Sequence, residues 1–166
     1  MINCIKGDIT ELKIVCIVNA ANERLLPGGG VCGAIHAAAG PGLAVECRRI
    51  GNCGVGEARI TRAYDLVNIR HIIHTVGPFW HGGGRGEKEY LINCYENTLL
   101  LASRNDIQTI AFPNISTGIF GFPKDTAARI AVDTVKNFQP SGSKLDRVTF
   151  CCFDDENTAI YKTLLG

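Results

Sequence analysis

The chain has 166 residues, with 17 Lys and Arg against 16 Asp and Glu, a formal net charge of +1, and 46% hydrophobic residues. That length predicts a single domain over 1–166 with a sizeable core, and the near-zero charge argues against a polybasic nucleic-acid or membrane-surface binder. No apolar run approaches the roughly 20 residues that cross a bilayer, and Met1–Asp8 lacks the apolar core of a signal peptide. A soluble, cytoplasmic protein is expected.

The first predicted element is a strand over 2–6. A second, over 14–19, is carried by the apolar run Ile14-Val15-Cys16-Ile17-Val18. It leads into Asn19-Ala-Ala-Asn22 and the glycine run Gly28-Gly29-Gly30-Val31-Cys32-Gly33, and then into the helix-favouring Ala34–Ala39. Helices are predicted at 33–39 and 42–50, and strands at 57–63 and 70–76. The loop Gly77-Pro-Phe-Trp-His81-Gly-Gly-Gly-Arg-Gly86 is flexible by composition and could cover a ligand. A helix over 87–104 places Tyr90, Leu91, Cys94, Tyr95, Thr98, Leu99 and Ala102 at three-to-four spacing. A strand at 108–113 runs into a second glycine-bearing turn, Ser116-Thr117-Gly118-Ile119-Phe120-Gly121. Pro123 suits the first turn of a helix over 123–138, where its missing N–H costs nothing. A strand at 146–153 and a helix at 155–164 complete the chain. The alternation argues for an α/β layered fold.

Eight cysteines stand at 4, 16, 32, 47, 53, 94, 151 and 152, with no C-x-x-C pair. Cys4, Cys16 and Cys151 lie in strand-like runs and read as small core hydrophobes, and in a strand Cys151 and Cys152 point to opposite faces. No metal and no cofactor are expected.

Strand, glycine turn and helix start form a phosphate site, because glycine lets backbone N–H groups approach an anion and the helix dipole favours one. Two such turns at one edge of a sheet suit a diphosphate, since ligands of open α/β sheets bind outside the carboxyl ends of strands. Ordinary glycine connections are the alternative.

Gly7-Asp8-Ile9-Thr10, Asn19–Asn22, Gly28-Gly29-Gly30-Val31, Gly33-Ala34-Ile35-His36, Ala39-Gly40-Pro41, His74-Thr75-Val76-Gly77-Pro78 and Ser116–Gly121 resemble, in order, the macrodomain family, most closely its MacroD-type ADP-ribosylhydrolases. The resemblance implies a three-layer α/β/α fold with a mixed sheet of about six strands, and ADP-ribose or O-acetyl-ADP-ribose as ligand. It implies that Asp8 reads adenine, with Ile9 beside it and Phe153 stacked on the base. Gly29, Gly30, Val31 and Gly33 would cradle the diphosphate from one side, and Ser116, Thr117, Gly118, Ile119 and Phe120 from the other, with Phe120 against the distal ribose. Asn22 would hydrogen-bond the distal ribose, His36 would orient water or ribose, and Asn19 would brace the loop. Mono-ADP-ribosylated proteins are the implied macromolecular partners; a nucleic-acid partner is disfavoured, although another nucleotide or an RNA end stays open.

The chain departs from the family at Cys32, where MacroD-type hydrolases carry an aspartate taken to position or activate water. A thiol, with a reference pKa of about 8.5, is a poor general base at neutral pH. Three alternatives follow: hydrolysis assisted by a substrate phosphate oxygen, binding without turnover, or Cys32 as a nucleophile activated by His36 one helical turn away. Alphavirus macrodomains, which resemble this chain in having Gly-Val-Cys here, belong to the hydrolytic branch.

Overall fold

The computed structural model describes residues 1–138 and 140–166. Six strands, β1 (Ile2–Lys6), β2 (Cys16–Ala20), β3 (Ala58–Arg62), β4 (His71–Thr75), β5 (Thr109–Phe112) and β6 (Arg147–Cys152), form one mixed sheet in the order β1-β6-β5-β2-β4-β3. All neighbours are parallel except β3, which runs antiparallel to β4.

The central strands read as continuous apolar runs because both faces are covered. In β2, Cys16 and Val18 face one core while Ile17 faces the other. The first core is closed by α3 (Glu87–Arg104), α4 (Lys124–Asn137) and α5 (Asp155–Leu165) through Leu91, Tyr95, Ala131, Val132 and Tyr161. The second is closed by α1 (Gly30–Ala39) and α2 (Pro41–Ile50) through Ile35, Ala39, Leu43 and Cys47. The fold is therefore a three-layer α/β/α sandwich. Cys152 packs in the first core and Cys151 in the second, the split their adjacency in a strand requires. All eight cysteines are free thiols.

Most element boundaries shift from the sequence reading by one or two residues, and the largest shift is at α1. Helix α1 starts at Gly30 rather than at 33, inside the glycine run. Gly30 takes φ +56, and a Cβ on Gly33 would run into the carbonyl oxygen of Gly28, so the tight first turn needs glycine at 30 for its left-handed backbone and at 33 for space. Pro123 stands one place before α4, as its N-cap.

Candidate functional site

Because β1, β6, β5, β2 and β4 are parallel, their carboxyl ends share one edge of the sheet. In that order the edge carries Asp8 and Ile9, then Phe153, the 116–121 turn, the 22–33 segment and the 77–86 loop. Thus the segments singled out in the sequence emerge side by side.

At the β1 end, Asp8 caps a single 3-10 turn, Ile9–Glu11. Its Oδ1 accepts from the Thr10 N–H at 2.9 Å and the Thr10 hydroxyl at 2.7 Å. The side chain remains exposed, while Ile9 beneath it is buried in the core. Phe153, just past β6, is 84% exposed and free to stack, whereas Phe150 is wholly buried. The neighbouring ends are tied together by Gly7 N–H to the Cys152 carbonyl at 3.0 Å and by Asn114 Nδ2 to Cys152 Sγ at 3.6 Å.

The first glycine turn opens α1 with Gly29 as N-cap, no side-chain cap and no acidic residue in the first turn. Its backbone amides and dipole therefore face outward without an internal anion. Ahead of it, Asn22 clasps the peptide of Leu26. Nδ2 donates to the Leu26 carbonyl at 2.8 Å, and Oδ1 accepts from the Leu26 N–H at 3.0 Å, across a turn in which Leu25 has φ +58. The Cys32 thiol donates to that same carbonyl at 3.6 Å. Gly28 lies between the two side chains: a Cβ there would be 3.6 Å from Asn22 Nδ2 and 3.9 Å from Cys32 Sγ.

Beneath this loop Asn19 donates from Nδ2 to Cys32 Sγ at 3.7 Å and reaches His74 Nδ1 at 3.0 Å. His74 Nε2 lies 2.9 Å from Thr61 Oγ1, whose hydroxyl donates to the Arg62 carbonyl at 3.0 Å. Since the Thr61 proton is spent on that carbonyl, His74 must carry its proton on Nε2 and accept at Nδ1. Burial, reinforced by neighbouring His36, pushes the His74 pKa down to about 3, so the ring is neutral.

His36 is also buried, and burial lowers its pKa. Its Nδ1 has no hydrogen-bond partner among the described residues, and it makes no hydrogen bond to Cys32. The sulfur's partners are Asn19 and Leu26, so Cys32 and His36 do not form the hydrogen-bonded thiol–imidazole pair that nucleophilic catalysis needs.

The second turn passes through two left-handed positions, Ser116 at φ +67, strained for a residue with a side chain, and Gly121 at φ +73, which glycine adopts freely. Phe122 N–H returns to the Ser116 carbonyl at 2.9 Å and Gly121 N–H to that of Gly118 at 3.0 Å. Ser116 Oγ is buried without a partner among the described residues. Ile119 is almost fully exposed, and Thr117 donates to the Asn114 carbonyl at 3.5 Å. Neither 28–33 nor 116–121 contains Lys or Arg, so an anion here meets amides and a helix end rather than side-chain cations.

The 77–86 loop departs from its composition. A Cβ on Gly77 would run into Ser116 Oγ, Trp80 N–H donates to the Phe120 carbonyl at 2.8 Å, and Phe79 stacks on Phe120 with ring centroids 3.7 Å apart. The contacts of Phe79 and Trp80 with Phe120, and the link from Asn19 through His74 to Thr61, escape the sequence reading, which marks 77–86 only as a loop that could cover a ligand and Asn19 only as a brace for its own loop. The motif His74-Thr75-Val76-Gly77-Pro78 is a further signal near them. Among the described residues no group of three or more His, Cys, Asp and Glu side chains is placed to hold a metal ion, and no helix is long and apolar enough to cross a membrane.

A family profile described as Macro domain matches residues 18–131. The chain is 53% identical over 166 residues to the O-acetyl-ADP-ribose deacetylase of Klebsiella pneumoniae, covering 98% of this chain and 94% of that one. It is 51% identical over 163 residues to ADP-ribose glycohydrolase MACROD2 of Xenopus laevis, covering 97% of this chain and 39% of that protein. Its fold superposes with a TM-score of 0.91 on the Trypanosoma brucei macrodomain in complex with ADP-ribose, at 40% identity, covering 99% of this chain and 69% of that one. With this sheet, these turns and these relatives, the chain belongs to the macrodomain family.

Proposed function

We propose that this macrodomain binds ADP-ribose along the carboxyl edge of its sheet and hydrolyses esters of the distal ribose. It would release mono-ADP-ribose from acidic side chains of proteins and acetate from O-acetyl-ADP-ribose. The observation that carries this reading is the pair of cation-free glycine turns on the adjacent strands β2 and β5, one of them opening an uncapped helix. Such a pair suits a diphosphate. The named relatives supply the ligand and the ester.

The order along the edge orients the ligand. Adenine lies toward Asp8 and Phe153, the diphosphate between Gly29–Gly33 and Ser116–Phe120, and the distal ribose beyond it near Asn22, Cys32, His36 and Phe120. Asp8 Oδ2 is left to accept the adenine amine, because Thr10 occupies Oδ1. Water adds across the ester, giving the free carboxylic acid and a ribose hydroxyl.

The Cys32 thiol, with its proton on the Leu26 carbonyl, is not the base for that water. A phosphate oxygen of the substrate takes the role, and the protein contributes orientation and a preorganised set of amides. A binding-only role is the second reading. It is favoured by the engagement of both Asn22 and Cys32 with the Leu26 peptide.

Turnover of an auto-modified protein substrate separates the two. Release by wild type that is lost in Asn22→Ala supports hydrolysis. No release by wild type, with release gained in Cys32→Asp, sinks it in favour of the reader. Cys32→Ala with full activity removes any covalent role for the thiol.

A further inference from the structure

Glu87 is 2% exposed at the start of α3, and no cation pairs with it among the described residues. Its carboxylate is met by backbone instead. Oε2 accepts the N–H groups of His81 at 2.8 Å and Gly83 at 2.9 Å, and Oε1 accepts that of Arg85 at 2.6 Å. Three amides converge because Gly82, Gly83 and Gly86 take φ of +90, +89 and +78, a curl that L side chains rarely adopt. Gly83 is also required for space, since a Cβ there would come within 2.9 Å of Trp80 Cη2. The run that looks flexible in sequence is an anion nest already filled by the chain's own carboxylate. Burial pushes the Glu87 pKa up, but the amides of His81, Gly83 and Arg85 and its own N–H outweigh it and hold the group down at about 2.

The other end of the loop touches the second phosphate turn. Phe79 stacks on Phe120 at 3.7 Å and 24°, Trp80 N–H binds the Phe120 carbonyl, and the Trp80 ring lies 4.7 Å from that of Phe122. We propose that Glu87 is a positioning residue for ligand: by filling the 81–85 nest it fixes Phe79 and Trp80 against Phe120 and Phe122, so that the wall of the distal-ribose subsite is built before ligand arrives. This rests on the reading of Phe120 as the residue facing that ribose. It also means that the loop is a fixed wall and not a closing lid.

The test is Glu87→Gln. An amide offers one oxygen where the nest needs two and turns an NH2 toward an N–H donor. Amide exchange at His81, Gly83 and Arg85 should quicken at least tenfold while Leu91 and Cys94 in α3 stay protected. The emission of Trp80, the chain's single tryptophan, should shift to the red. By calorimetry the ADP-ribose Kd should rise about tenfold, while the AMP Kd stays within twofold, because AMP lacks the distal ribose. Faster exchange with an unchanged ADP-ribose Kd overturns the proposal, and so does an equal loss for AMP and ADP-ribose. Unchanged exchange in Glu87→Gln also overturns it. If Glu87→Gln does not fold, Phe79→Ala, at a half-exposed position, decides: an ADP-ribose-specific loss supports the coupling and none removes it. A wild-type protein that fails to bind ADP-ribose sinks the reading of the site itself, an outcome distinct from a failure of Glu87.

Discussion

His74 sits under the first glycine turn as a neutral, fully buried imidazole with both nitrogens engaged. Its pKa of about 3 in the fold, against about 6.5 in an unfolded chain, sets the sign of its pH dependence. Between those values the unfolded chain binds the proton and the folded one does not, so stability falls as pH drops below 6.5, by up to about 1.4 kcal/mol per unit. Denaturant unfolding at pH 6.5 and at pH 5 should therefore show a clear loss for wild type. His74→Gln should start less stable and lose less over that interval. The slope that remains comes from His36, whose pKa is lowered in the same direction, and near pH 5 also from the lowered carboxyls of Glu87, Glu57 and Asp154. Equal slopes for the two proteins would mean that His74 is not the neutral buried group the hydrogen bonds require. The same residues mark the limit of what sequence reveals. His74 stands in an apolar strand run and reads as structural, but its partners Asn19 and Thr61 are 55 and 13 residues away and meet it only through sheet pairing.

At the scale of elements, the strands were legible because a parallel sheet buried on both faces needs unbroken apolar runs, as in Cys16–Val18 and Ile110–Phe112. The candidate site was legible as two glycine turns after two of those strands. What stayed hidden was what each glycine is for. Gly33 gives way to the Gly28 carbonyl, whereas a Cβ on Gly29 would meet nothing within 4 Å, at an ordinary φ of −91. The two should therefore respond oppositely to one added methyl. Gly33→Ala must displace the 28–30 backbone and should lower stability by about 1–3 kcal/mol, seen as a lower melting temperature. Gly29→Ala should melt within about 2 °C of wild type yet bind ADP-ribose about tenfold more weakly, about 1.4 kcal/mol, because its methyl would stand where the phosphate approaches the helix amides. Normal binding by Gly29→Ala would move the phosphate off this turn. The 77–86 loop is a related case. Its glycines look like slack in a sequence, and only the folded chain brings Glu87 into their concave side.

Across the whole molecule, a net charge of +1 accompanies a proposed dianionic ligand. With no Lys or Arg in either the 28–33 or the 116–121 turn, the proposed attraction comes from fixed dipoles within a few ångströms rather than from a field of lysines and arginines. Amides and a helix end act at contact range, well inside the Debye length of about 10 Å at 0.1 M salt, and bring no mobile counterion atmosphere to release. ADP-ribose affinity should therefore change by less than about threefold between 50 and 500 mM NaCl in calorimetry. A short RNA held by several Lys and Arg contacts would weaken by orders of magnitude over a narrower range. The same titration thus judges the open alternative of an RNA end. Steep salt dependence, or tighter binding of RNA than of ADP-ribose, would mean that cations outside the 28–33 and 116–121 turns dominate recognition. A flat profile would place recognition in the backbone of those turns, where glycine content and strand order, not charge, decide what the edge of the sheet can hold.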